Sequence, residues 1–188
     1  MSENLNFDMD GAEVGTGDAG NVAGGVVASF CPEGDARKCG EYGRLYTWAA
    51  AQKACPEGWR LPSREDFVAL VEAAGGADGS LGQNSAGGVL KAKSGWFKKG
   101  NGTDGVGFRA LPAGYMAAPE SADGKPRPGK FDGIGGYAYF WSASPDPQES
   151  AFAQYLFLDF SSKTAQIASF DMNSARSVRC IATQPKIY

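Results

Sequence analysis

The chain has 188 residues, 43% hydrophobic and 21% charged, with a formal net charge of -3. That length suits a single domain with a real core, so residues 1–188 are read as one unit. The acidic balance argues against a nucleic-acid partner, and the absence of histidine removes Ser–His and Cys–His catalytic relays.

The first forty residues are glycine-rich, with ENLNFDMD reading as an edge strand and GAEVGTGDAGNVAGG as a loop. The polar, acidic start lacks the pattern of a secretion signal, so an exported protein would carry this chain as the mature part of a longer precursor. Cys31 and Cys39 bracket a short loop; Cys55 and Cys180 complete an even set with no CxxC pair. Without histidine or close thiol pairs a metal cluster is not indicated. Two disulfides in an oxidising compartment is the preferred reading, with free buried thiols as the alternative.

Thr47 is placed to cap a helix over TWAAAQKAC, stopped by Pro56 and Gly58. Ser63 opens a second, SREDFVALVEAAGG, where Ser63 and Asp66 have capping-box spacing. Phe67, Leu70, Val71 and Ala74 make one apolar stripe, and Gly75 and Gly76 supply the stop. Lys91, Lys93, Lys98 and Lys99, broken by small residues around Trp96, read as a solvated loop.

Beyond Gly76 the period shifts from 3.6 to 2. Short strands are expected in GVGFRALPAGYM, YAYFWSAS, AQYLFLDFSS, TAQIASFD and SARSVRCIA, with ESADGKPRPGKFDGIGG as a long loop. Helices early and strands late indicate α+β. In YAYFWSAS, Tyr137, Tyr139 and Trp141 share a face opposite Phe140. Trp141 is read as core. In AQYLFLDFSS, Leu156 and Leu158 are expected inward, leaving Tyr155, Phe157 and Asp159 outward. Outward aromatics suggest a binding surface, or else a surface covered by the long loop. No stretch approaches the ~20 apolar residues of a membrane helix.

YGRLYTWAAAQKACPEGWRLPS, GGVLKAKSGW, NGTDGVGFRALPAGY, YFWSAS and SVRCIA resemble, in that order, the Fibrobacter succinogenes major paralogous domain family. ENLNFD fits that family's opening strand, while the GTGDAGNVAGGVVAS segment and the ESADGKPRPG loop depart from it. GWRLPSREDF and SVRCI are also similar to motifs of formylglycine-generating enzymes. The resemblance implies a C-type-lectin-like fold, with two helices flanking a small twisted antiparallel sheet and long irregular loops. It also implies an exported bacterial domain of surface proteins and lipoproteins with no established activity. Cys31 and Cys39, close in sequence, are expected to pair. Cys55 would then join Cys180, as the long-range bridge of lectin-like domains does.

No enzyme is expected. The reactive late cysteine pair of formylglycine-generating enzymes is missing, since only Cys180 lies in that region. A glycosidase would need two carboxylates facing each other among Asp132, Asp146, Glu149, Asp159 and Asp171. The EPN or QPD and WND signatures of calcium-dependent lectins are absent. A structural calcium could draw on Asp78, Asn101, Thr103, Asp104 and Asp132, although Asp and Asn beside Gly also serve turns. The functional expectation is a non-catalytic extracytoplasmic binding or adhesion module whose ligand is a glycan or another protein. Its face would comprise Tyr155, Phe157 and Asp159, with Gln166, Phe170 and Met172 if TAQIASFDM alternates regularly. The rival is a purely structural module of a surface assembly.

Overall fold

The computed structural model describes residues 1–9, 27–76, 85–122, 125–127 and 129–183. Its helices in chain order are α1 (Ala36–Tyr42), α2 (Trp48–Ala54), α3 (Arg64–Ala73) and α4 (Ala86–Leu90). The early strands are β1 (Ser29–Phe30), β2 (Leu45–Thr47), β3 (Trp59–Arg60), β4 (Ala113–Met116), β5 (Glu120–Ala122) and β6 (Lys125–Arg127). The later ones are β7 (Phe131–Ile134), β8 (Tyr137–Pro145), β9 (Phe152–Asp159), β10 (Ala165–Asp171), β11 (Ala175–Ser177) and β12 (Ile181–Ala182).

The mixed α and β composition matches expectation, but the sheet is not small. Among the described residues eight strands join in the order β1-β2-β11-β4-β8-β9-β10, with β7 on the flank of β4. Nor is it wholly antiparallel, since β8 runs parallel to both β4 and β11. The segment read as one long loop forms the β5–β6 hairpin and strand β7. The expected opening strand is instead an irregular run in which Leu5 donates to Val178 and accepts from Arg44.

The second expected helix is α3, with the reciprocal Ser63–Asp66 capping box formed. It ends with Gly75 at φ 97° and the Gly76 amide on Val71 O, a Schellman-type stop. The first expected helix is α2. Thr47 stands at its N-cap, but the hydroxyl accepts from the Ala28 amide instead of capping the helix. Two further short helices have weak local signals. Asp35 caps α1 through the Arg37 amide, and α4 contains two adjacent glycines, which are poor helix formers. Gly87 is needed for contact: a Cβ there would lie 2.2 Å from Thr164 O.

One core joins Phe67 and Val71 of α3 and Leu90 of α4 to Phe140, Leu156 and Leu158 of the sheet. A second packs the alanines of α2 against Trp141, Tyr155, Val178 and Cys180. The dense CPEGWRLPSREDF segment is the corner between the two. Pro62 O accepts from the Ala143 amide (2.7 Å), and Ser144 Oγ accepts from the Arg64 amide (3.0 Å). Both bonds fall where β8 bulges between Trp141 and Pro145.

Both disulfides pair as expected, Cys31 with Cys39 and Cys55 with Cys180. They fit a non-cytoplasmic compartment. No helix among the described residues is long and apolar enough to cross a membrane.

Lys93, Lys98 and Lys99 are exposed, as the solvated reading expects, but Lys91 departs from it. Lys91 is buried, with Nζ donating to Asp159 O (2.8 Å) and Ser162 O (2.7 Å), 5.0 Å from the Trp96 ring centroid. Burial pushes its pKa down.

The two bridges should differ in worth. Their sequence separations are 125 and 8 residues, for which loop-closure entropy gives upper figures of about 5 and about 2.5 kcal/mol. Urea unfolding of Cys55→Ser/Cys180→Ser beside Cys31→Ser/Cys39→Ser is expected to show the larger loss in the first pair. The reverse order would contradict the corner's role as the main long-range tie.

Candidate functional site

Strand register assembles a line of side chains across five strands. Asp132 of β7 stands opposite Tyr115 of β4, Tyr139 of β8 opposite Phe157 of β9, and Phe157 opposite Gln166 of β10. The parallel β4–β8 pairing at Gly114 and Ala138 closes the gap, bringing Tyr115 and Tyr139 to a ring-centroid distance of 5.2 Å. Tyr139 and Phe157 follow at 5.0 Å. Four inter-strand steps at ~4.8 Å make the row about 19 Å long. Asp132 and Gln166 are exposed, and the three rings between them are half-buried. Tyr137 and Asp159 pair in the adjoining register, and Tyr137 lies 6.0 Å from Phe157.

Arg176, on β11, anchors these rings. It is 2% exposed, and its guanidinium carbon lies 4.4 Å from the Tyr155 centroid and 4.5 Å from Trp141. Phe170, Tyr139 and Tyr115 follow at 5.0, 5.4 and 5.9 Å. Nη1 donates to Ser174 Oγ, while Nε has no hydrogen-bond partner and no carboxylate pairs with the group among the described residues. Burial pushes the guanidinium pKa down; the π faces and the neighbouring tyrosine hydroxyls offset that cost. Burial raises the Tyr139 pKa. Tyr46, whose carbonyl accepts from Trp141 Nε1 at 2.8 Å, ties the same cluster to β2.

The expected site residues divide accordingly. Phe157, Asp159, Gln166 and Phe170 lie together on this face, Phe170 at 41% exposure. Tyr155 shares the face but is not presented outward: at 8% exposure it packs against Tyr139, Trp141 and Arg176. Met172 falls beyond the end of β10, so alternation no longer sets its direction. It packs into the α2 core, and its carbonyl accepts from the Trp48 amide. Trp141 is core, as expected. Tyr115 and Arg176 were missed. Arg176 lies in the SVRC neighbourhood, and an arginine two residues before a buried valine in an alternating strand was the available signal.

Four of the five carboxylates weighed for catalysis serve turns. Asp132 Oδ1 accepts from the Gly133 amide, Asp146 Oδ1 from Gln148 and Glu149, Asp159 Oδ1 from Ser161, and Asp171 Oδ1 from Asn173. Of the calcium candidates, Asp78 lies outside the described residues. Asn101 and Asp104 accept from the Trp96 and Arg109 amides, and Thr103 reaches Gly88 O. No group of three metal-ligating His, Cys, Asp or Glu forms among the described residues. The face presents rings and hydroxyls at its centre and a carboxylate and an amide at its ends.

The family model described as the Fibrobacter succinogenes major domain matches residues 1–182, and the chain belongs to that family. No curated protein and no solved structure matches it.

The cage makes Arg176→Lys a test of geometry at constant charge. Lysine has no planar guanidinium to lie against the Tyr155 and Trp141 rings, so a loss of about 2 kcal/mol is expected in urea unfolding. Near-ultraviolet circular dichroism should report the repacked rings. An unchanged unfolding midpoint would mean that the stacked guanidinium does not hold the face.

Proposed function

We propose that this member of the Fibrobacter succinogenes major domain family is a non-catalytic, extracytoplasmic binding or adhesion module of a bacterial surface protein or lipoprotein. Its architecture is read as C-type-lectin-like, and its ligand, a glycan or a protein, docks on the aromatic sheet face. The observation that carries this reading is the row of half-buried rings, Tyr115, Tyr139 and Phe157, capped at both ends by exposed polar groups. Rings fixed on regular strands lose little entropy on contact and offer amphipathic area. The two disulfides favour an oxidising location such as a cell surface, periplasm or external medium. Turn duty for the four late aspartates supports the non-catalytic part of the reading. The burial of Tyr155 and Trp141 around Arg176 favours the structural rival, because those rings work internally.

An array of glycans and surface proteins separates the two. Wild-type protein is expected to bind, and a Tyr139→Ala/Phe157→Ala variant to lose thirtyfold or more in affinity, as for an interface centred on two aromatic anchors (roughly 2 kcal/mol). Binding retained in full by a folded variant would reject this face. Failure of the wild type to bind anything would favour the structural module.

A further inference from the structure

Resting on the reading of this face as a binding surface, we infer that its ligand is an uncharged oligosaccharide chain lying across the strands, along the line from Asp132 to Gln166. Shape comes first. The row is about 19 Å long, and Tyr137, 6.0 Å from Phe157, widens it to two rings near its centre. A protein partner typically needs about 800 Å² on each side, whereas the partly exposed rings here keep to one line and its near flank. A thin chain fits such a strip.

Spacing comes second. Successive rings in the row are 5.2 and 5.0 Å apart, close to the advance per residue of an extended pyranose chain. Each sugar would place its C–H surface against one apolar step, and the whole strip would hold about four residues. The ends then offer what hydroxyls need. Asp132 has one carboxylate oxygen engaged by the Gly133 amide, and Gln166 brings both a donor and an acceptor.

Charge comes third. Asp132 and Asp159 border the rings with no ion-pair partner among the described residues. Against them stand the buried Arg176 in its cage and Lys98, whose Nζ lies 5.5 Å from the Phe160 centroid, itself 6.0 Å from Tyr137. The two carboxylates thus have cations close by, the buried Lys91 Nζ at the Asp159 carbonyl among them, and the row carries no strong charge of either sign. A strongly anionic or cationic polymer would gain no net attraction there, whereas a neutral, hydroxyl-rich chain can use carboxylates and tyrosine hydroxyls as hydrogen-bond partners.

The test is isothermal titration of the full chain with neutral gluco-, manno-, galacto- and xylo-oligosaccharides, from disaccharide to hexasaccharide, beside galacturonate oligosaccharides of the same lengths. At least one neutral series should gain affinity with each residue up to about the tetrasaccharide, then level off. The matching uronates should bind at least tenfold more weakly, and neutral binding should vary little with salt. Tyr139→Ala should weaken all lengths at least tenfold. Asp132→Asn and Gln166→Ala, both at exposed positions, should weaken only the longer chains. Tighter binding of the uronates, or affinity independent of chain length, would overturn the inference. So would a protein ligand lost in the Tyr139→Ala/Phe157→Ala variant while every neutral series fails; that outcome would leave the binding-face reading standing. Absence of any ligand in both assays would remove both.

Discussion

Three buried cations with no carboxylate ion-pair partner among the described residues, Lys91, Arg176 and Arg179, impose the main physical constraint on this fold. Taking a charge out of water costs several kcal/mol unless other groups replace its hydration. Each of the three is solvated by protein groups that would otherwise be hard to order. Lys91 takes the carbonyls of Asp159 and Ser162, fixing the turn that leaves β9. Arg179 donates to the carbonyls of Phe108 and Arg109 and to Asn4 Oδ1 (2.7 Å) and lies over the Phe108 ring. Arg176 takes ring faces. Irregular segments far apart in sequence are thereby organised from the interior.

Arg179 shows how such a device substitutes for regular structure. Arg109 is held at φ 51°, a left-handed conformation that costs a non-glycine residue of order 1 kcal/mol. The Asp104 carboxylate accepts its amide, and Arg179 Nη2 takes its carbonyl. Asn4, which donates to Tyr42 O at 2.8 Å, then fastens the start of the chain to the same charge. The irregular N-terminal run, expected to be a strand, is held by one arginine and a few backbone bonds in place of a sheet ladder.

Features encoded within a few residues were legible in the sequence. The Ser63–Asp66 box, the Phe67–Val71 stripe and the Gly75–Gly76 stop depend on local spacing, and each appears in α3. Leu156 and Leu158 are buried because alternation along one strand suffices to say so. The candidate site was legible only in part, since a row across strands depends on register between distant segments. Tyr115 meets Tyr139 through a parallel pairing that nothing local to GYM or YAYF specifies. Tyr155 has the right parity for an outward ring, yet a side chain arriving from β11 covers it. Lys91 looked solvated because its two acceptors lie about seventy residues further along the chain. A charge in a glycine-rich stretch carries no mark of burial until those carbonyls converge.

The same interior chemistry holds the presented rings in place. Tyr155 and Trp141 are held by Arg176, and Trp141 is held again by the Tyr46 carbonyl. Tyr139 packs on Tyr155 at 5.6 Å and on Phe157 at 5.0 Å, so order passes outward from the buried pair to the half-exposed pair. The opening corner reinforces this from the other end. The bonds from Pro62 and Arg64 to Ala143 and Ser144 fix the bulge at which β8 leaves Trp141. A bulge ends the regular ladder, so the densely specified CPEGWRLPSREDF segment acts at a distance. It sets the end of the strand on which Tyr137, Tyr139 and Trp141 stand, and so reaches the face without contributing a residue to its central row.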